Sequence, residues 1–200
     1  PRPFRNTGIV IGIAVDPATL PLLPMAGADA PLEDRWIVAE FHSAASKVNQ
    51  SLQTYRFDDA ANTIYQFFWG SFCDWYLEIV KLRLDFSDTA DKAKTRAALT
   101  TLVSVIEAAL RLLSPFMPFL TEELWHAVYD GNPPARSIAL TRYPQSSEAP
   151  VDSSALQQMT LLQNLIIEVR TLRKESAVEE KATIPIEVRI DAAHQPQIQQ

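Results

Sequence analysis

The sequence predicts a mainly α-helical bundle with a small α/β appendage at its C-terminal end. Three observations carry this. Apolar residues recur at spacings of three and four through most of residues 32–177, the period of one helix face. Between Asp58 and Leu84 they cover nearly every face, as in a helix at the centre of a bundle. Only over 183–190 does the period change to two, the alternation of a strand.

The first 31 residues hold Pro1, Pro3, Pro17, Pro21, Pro24 and Pro31, which break any long helix. Residues 1–31 therefore read as an irregular N-terminal segment and linker, with Ile9–Val15 as a short strand or a buried extended piece. From Leu32, the stripe Ile37, Phe41, Ala44, Val48, Leu52, Tyr55 predicts a helix of about five turns. Asp34 supplies a charge or cap at its start. Arg56-Phe57 makes a break, and Asp58 can cap a second helix reaching about Leu84. Gly70 inside that helix costs about 1 kcal/mol against Ala, which suggests close approach of a neighbouring helix. After the polar break Asp85–Thr89, a third helix turns Leu99, Leu102, Val103, Ile106, Ala109, Leu110 and Leu113 inward and stops at Ser114-Pro115. Pro118 suits the first turn of a fourth helix, to about Tyr129, with Glu122 and Glu123 near its positive end.

Gly131–Pro134 and Gln145–Pro150 are turn chemistry, with Ser137–Leu140 a short extended piece between them. A fifth helix, Ser153 to Ala177, turns Leu156, Met159, Leu162, Leu165, Ile166, Val169 and Leu172 inward. Pro185 keeps the strand at 183–190 off a central sheet position. Its partner is Ile9–Val15, Ser137–Leu140 or a segment beyond Gln200. The expected organisation is thus a linker at 1–31, a helical bundle at 32–150, and a helix-plus-strand appendage at 151–200 that continues beyond the fragment.

Composition excludes several classes of function. Apolar residues make up 47% of the 200-residue chain, a globular and not a disordered balance. No apolar run approaches the roughly 20 residues of a membrane span. The net charge of −6 argues against a protein that coats nucleic acid through its overall field, while leaving room for a local basic surface. The single cysteine, Cys73, cannot form an internal disulfide and fits a reducing compartment. With Asp74 raising its pKa, it reads as a small buried hydrophobe and not a nucleophile. There is no glycine-rich phosphate loop, and His42, His126 and His194 are too dispersed in sequence to suggest a metal site. Asp74 and Glu78 share one helix face and could run acid–base chemistry. The structural alternative pairs Glu78 with Lys81, and Asp74 with Arg111 or another bundle partner.

The residues that point to a ligand are cations beside an aromatic. Trp36 lies about 100° round the helix from Ile37, with Glu40, Ser43 and Lys47 as helical neighbours. Arg35 lines up with His42, Ser46 and Asn49. An Arg and a large aromatic off the core stripe suit stacking on an unpaired base with a phosphate contact alongside. The other reading has Trp36 cover the end of the bundle. Arg170, Arg173 and Lys174 could bind phosphates, or belong to a mixed-charge face with Glu168 and Glu175. Lys81, Arg83, Lys92, Lys94 and Arg96, interspersed with Asp85, Asp88 and Asp91, admit the same two readings.

Several runs carry a family likeness: Asp34-Arg35-Trp36-Ile37; Tyr55-Arg56-Phe57-Asp58 with Ala60-Ala61; Phe67-Phe68-Trp69 with Phe72-Cys73-Asp74-Trp75-Tyr76-Leu77-Glu78; Leu113-Ser114-Pro115-Phe116-Met117-Pro118-Phe119 with Thr121-Glu122-Glu123-Leu124-Trp125; and Val169-Arg170 with Leu172-Arg173. Over about Leu32 to Ile190 the chain resembles the C-terminal anticodon-binding region of the valyl-tRNA synthetases. The resemblance implies a helical bundle that grips the tRNA anticodon stem and loop. It implies a cytoplasmic, monomeric parent enzyme joining valine to its tRNA with ATP. Its partners would be valine tRNA and the catalytic and editing domains of the same polypeptide. The family's His-Ile-Gly-His and Lys-Met-Ser-Lys-Ser signatures are absent from these 200 residues, so the fragment is expected to hold no catalytic residue, cofactor or metal. The candidate tRNA contacts are Arg35, Trp36, His42, Lys47, Arg170, Arg173 and Lys174. The rival expectation is a helical protein–protein interaction module of the same ancestry without tRNA binding.

Overall fold

Helix α1, Leu32–Gln53, is the element against which the first part of the fold is built. It starts directly after Pro31, whose extended backbone (φ −53°, ψ 149°) cannot continue a helix backwards. The computed structural model describes residues 16, 21–87, 91–145, 151–179, 182, 183, 185 and 187, and among them the regular structure is helical with no strand. The expected extended piece at 9–15 lies outside the described residues, as does most of the expected strand at 183–190; Thr183, Pro185 and Glu187, which are described, are in no strand.

α1 ends in a Schellman turn. The Arg56 N–H donates to Ser51 O at 2.8 Å and the Tyr55 N–H to Leu52 O at 3.2 Å, which occupies carbonyls the helix end leaves open. Tyr55 takes the left-handed position, at φ 59°, where glycine is the usual residue. Replacing Tyr55 by Gly is expected to raise stability by about 1 kcal/mol, read as a higher denaturation midpoint at unchanged m. A lower midpoint would mean that the Tyr55–Phe57 edge contact, centroids 6.4 Å apart, outweighs the strain.

The second helix is continuous over the predicted span. It begins as α2, Phe57–Tyr65, widens to π geometry over Gln66–Tyr76, and returns to α as α3, Leu77–Lys81. Asp58 is not its cap: Arg56 holds that position, and its guanidinium pairs with Asp59 at 2.7 Å. The buried positions explain the widening. They run Ile64, Phe67, Phe72, Tyr76, Val80. The step from Phe67 to Phe72 is too long for one α turn but matches the i→i+5 repeat of a π-helix. The widened turn keeps one aromatic row in register: Phe41–Phe67 at 5.8 Å, Phe67–Phe72 at 6.5 Å and Phe72–Tyr76 at 5.9 Å.

This helix is not buried all round. Tyr65 and Trp69 are 58% and 56% exposed, and Asp74 and Glu78 face solvent. Nor does Gly70 admit a close neighbour, since a Cβ there would meet only Gln66 Oε1, at 3.9 Å. It is α1 that is packed on several sides, touching α2, the π segment and α4 (Lys92–Leu113). Its buried face therefore widens from a stripe to an arc that includes Trp36, Ile37, Val38, Ala39, Phe41 and His42.

A polar lock closes one end of these helices. The buried Asp34 accepts from the Tyr76 hydroxyl at 2.9 Å and pairs with Arg83 at 2.9 Å, while Glu33 meets the same guanidinium at 2.9 Å. Burial pushes the Asp34 carboxyl above the usual carboxylate range despite Arg83 and Tyr76. Burial, then the Asp34 charge, holds the Tyr76 phenol far above its ordinary value.

α4 is capped by Asp91, whose carboxylate accepts from the Ala93 and Lys94 N–H groups, and it ends before Ser114-Pro115. α5, Pro118–Val128, has Pro118 in its first turn. Leu110, Trp125 and Ile138 form a core cluster with Phe68, Ile106, Val128, Tyr129 and Ala135 around it. Within α4 the most buried apolar positions are Ala98, Val105, Ala108, Ala109, Leu110 and Leu112, so the inner face is rotated from the expected one. The rotation buries Glu107 and Arg111. Glu107 accepts from Trp125 Nε1 at 3.0 Å, Tyr129 Oη at 3.3 Å, and Arg111 Nε and Nη2 at 3.0 and 2.8 Å. Arg111 also donates to Arg142 O at 2.8 Å and to Leu22 O. It is thus the partner of Glu107, not of Asp74. Ser137–Leu140 is not an extended piece: Ser137 is extended, but Ile138–Leu140 is a 3₁₀ turn held by the Ser137 hydroxyl and Glu122.

The chain divides into two compact units, the first ending at Val151 and the second beginning at Asp152. In the second, α6 runs Ser153–Glu175, capped by the Asp152 carboxylate on the Ala155 N–H. Ala155 and Met159 are buried, but Leu162, Leu165 and Leu172 are 40%, 37% and 58% exposed, so the expected inward face is buried only near its start. Among the described residues no helix is long and apolar enough to cross a membrane.

Candidate nucleic-acid interface

The second helix carries a stripe that follows helical spacing yet faces solvent: Asn62, Tyr65, Gln66 and Trp69, at i, i+3, i+4 and i+7, are all exposed. The Tyr65 and Trp69 rings lie 6.4 Å apart, tilted by 52°. A cleft of about 350 Å³ opens between α1 and this helix. Glu40, Ser43 and Lys47 line it from α1, and Asn62, Gln66 and Gly70 from the other wall. Lys47 is exposed and Glu40 half-buried. Burial pushes the Glu40 carboxyl up, with Lys47, the Ser71 hydroxyl and the Trp36 indole working the other way.

The expected contact residues separate in the structure. Trp36 is 2% exposed and His42 1%. The His42 Nε2 lies 2.9 Å from Pro24 O and, as the N–H tautomer, donates to it. Neither ring offers a face to a base, so both are corrected from ligand contacts to core residues. The reason is the arc of α1: Pro24 O covers the His42 side, and the Trp36 side faces the second helix, where the Ser71 hydroxyl donates to Glu40 at 3.4 Å. Lys47 stays at the surface and lines the cleft, and Arg35 is half-buried.

In the second unit, Arg170 and Lys174 are exposed, and Arg173 is engaged by the chain after α6, donating to Glu179 O at 2.9 Å and Ala182 O at 3.1 Å. Three of the five basic residues around the α3–α4 turn are ion-paired: Lys81 to Glu78 at 2.5 Å, Arg83 to Glu33 and Asp34, Lys94 to Asp91 at 3.8 Å. Those three belong to a mixed-charge surface.

No catalytic arrangement competes with this face among the described residues. Glu78 is neutralised by Lys81. Cys73 is half-buried, and burial, then Asp74, pushes its thiol up, away from nucleophilic use. His126 lies 3.0 Å from Glu122 on its own helix, and His194 is outside the described residues. Tyr65, Trp69, Asn62 and Gln66 are not among the residues the sequence singles out, because the abundance of aromatics hides their spacing. Two amides and two aromatics at i, i+3, i+4 and i+7 were the available signal of an outward face.

The family described as the anticodon-binding domain of tRNA ligase matches residues 34–190. The chain is 43% identical to a valine–tRNA ligase of Neisseria meningitidis serogroup B, over 76% of this chain and 16% of that protein. It is 40% identical to one of Dechloromonas aromatica, over 82% and 18%, and 38% identical to one of Aquifex aeolicus, over 75% and 14%. It thus spans less than a fifth of the length of these relatives. With a helical bundle built on α1 and the match running through it, the chain belongs to the anticodon-binding domain family of tRNA ligases, and within that family it resembles the valine–tRNA ligases.

Proposed function

We propose that this chain recognises the anticodon stem and loop of valine tRNA as part of a valine–tRNA ligase. The observation that carries the reading is the family match over residues 34–190; on the first unit, Tyr65, Trp69, Asn62, Gln66 and Lys47 are exposed. In this reading residues 1–31 are a linker, 32–150 the anticodon-binding bundle and 151–200 an appendage. The parent enzyme uses ATP to join valine to tRNA in the cytoplasm as a monomer, through catalytic and editing domains elsewhere in the polypeptide. This fragment contributes recognition and no chemistry.

The proposed contact set is Arg35 and Lys47 on the first unit, joined by Tyr65 and Trp69 for stacking, and Arg170, Arg173 and Lys174 on the second for the phosphate backbone. An acidic chain can do this because its cations need only a local surface; phosphate contacts position the RNA while bases specify it. Titrating valine tRNA against the chain tests the reading. Lys47→Ala and Arg170→Ala are each expected to weaken binding and to flatten its dependence on log salt by about one unit of slope. Unchanged affinity and slope in both variants would remove these residues from the interface.

A further inference from the structure

We propose that Arg111 is a clamp. It ties the stretch by which the chain enters the bundle, residues 22–24, to the stretch by which it leaves, residues 142–144, so that the two are held or released together. The Arg111 side chain is 4% exposed, and it reaches far along the chain in both directions. Nη2 donates to Leu22 O, 89 residues earlier, and Nη1 donates to Arg142 O, 31 residues later, at 2.8 Å. The Glu107 carboxylate accepts from Nε at 3.0 Å and from Nη2 at 2.8 Å. A guanidinium is a rigid plane with its N–H groups in fixed directions. Once Glu107 sets that plane, the aim of both outer donors is set with it.

Both stretches depend on side-chain donors. Among the described residues, no backbone hydrogen bond ties residues 22–24 or 142–144 to a helix. The entry stretch follows Pro21 and belongs to no regular element. Leu23 is buried there, while Leu22 and Met25 leave more than half their surface in water. The buried His42 holds Pro24 O through Nε2, at 2.9 Å. Its Nδ1 has no partner, so that one bond orients the ring. At the exit stretch, Asn49 Nδ2 donates to Pro144 O at 3.0 Å, and the Tyr143 hydroxyl donates to Leu112 O at 3.0 Å. His42 and Asn49 stand two turns apart on one face of α1. α1 thus holds one carbonyl of each stretch, and Arg111 on α4 holds another of both.

The shared donor is what couples them. When either stretch lifts, Arg111 is left with a buried N–H that has no acceptor, which is costly. The side chain relieves that cost by turning toward water. In turning, it withdraws its donor from the other carbonyl. Opening at the entry therefore loosens the exit, and the reverse, although the whole bundle separates the two in sequence.

The test is thiol labelling of the 200-residue chain, with Cys73→Ala removing its one cysteine. Leu23→Cys reports opening of the entry stretch and Pro144→Cys opening of the exit stretch, both at buried positions. Ala60→Cys, buried in α2, reports global opening. Asn49→Ala removes an exit donor. It is expected to speed labelling about fivefold at position 23 as well as at 144, the effect of losing one hydrogen bond. His42→Leu removes the entry donor and is expected to speed labelling at 144 as well as at 23. Arg111→Lys keeps a charge for Glu107 but loses the fork, and is expected to speed both, with position 60 unchanged. The His42 and Asn49 variants decide the question if Arg111→Lys misfolds. Acceleration confined to the stretch whose own donor was removed would mean two independent contacts and overturn the clamp. Equal acceleration at position 60 would mean general loosening and overturn it as well.

Discussion

Trp36→Ala is expected to lower stability by about 3–5 kcal/mol, the cost of emptying a large aromatic site in a closed core. Trp36 is among the largest fully enclosed side chains of the chain, and α1 packs against α2, the π segment and α4 around it. The measurement is a denaturant titration, with the far-UV signal of the remaining helices reported alongside. RNA affinity, measured where the variant is still folded, is expected to follow that loss of structure and not to precede it. A stable variant that loses RNA binding would return Trp36 to the interface and contradict its burial.

Glu107→Ala is expected to cost a similar amount, about 3–5 kcal/mol, for a different reason. Removing one member of a buried ion pair leaves the other charge uncompensated. Here that is Arg111, 4% exposed, together with the Trp125 indole N–H and the Tyr129 hydroxyl. The Tyr129 phenol is pushed up to about 12 by burial and by the Glu107 charge, so it remains a donor throughout the working pH range. Glu107→Gln keeps an acceptor and is expected to cost less. Glu107→Ala combined with Arg111→Ala is expected to cost less than the sum of the two single changes, the sign of direct coupling. Additive costs would mean that the pair does not hold α4, α5 and the segment at Arg142 together.

Much of this fold could be read from the sequence because helix ends are local chemistry. Pro31 and Pro118 mark starts, and Ser114-Pro115 marks a stop, without reference to the rest of the chain. Which face each helix buries was harder, because that depends on how many neighbours it has. A single-stripe reading put Trp36 and His42 outside, whereas α1 is enclosed over an arc. The reverse error came from treating the aromatic run around Phe72 as buried throughout. Phe67, Phe72 and Tyr76 form the buried row, while Tyr65 and Trp69 face solvent.

The polar core escaped for a related reason. Glu107 and Arg111 look like an ordinary surface pair one turn apart, and only α5, folding back with Trp125 and Tyr129, encloses them. Lys47 was the one predicted contact on the first unit that the structure leaves fully at the surface. The Asn62 and Gln66 amides share its cleft, a placement that depends on how α1 and the second helix pack.

The central claim is that this chain reads an anticodon loop. The direct measurement is its affinity for the valine-tRNA anticodon stem–loop against the same stem with a changed anticodon, at low and at moderate salt. Tighter binding to the valine sequence is expected at both, with affinity for each falling as salt rises. Equal affinity for the two loops, or no binding to either, would contradict it.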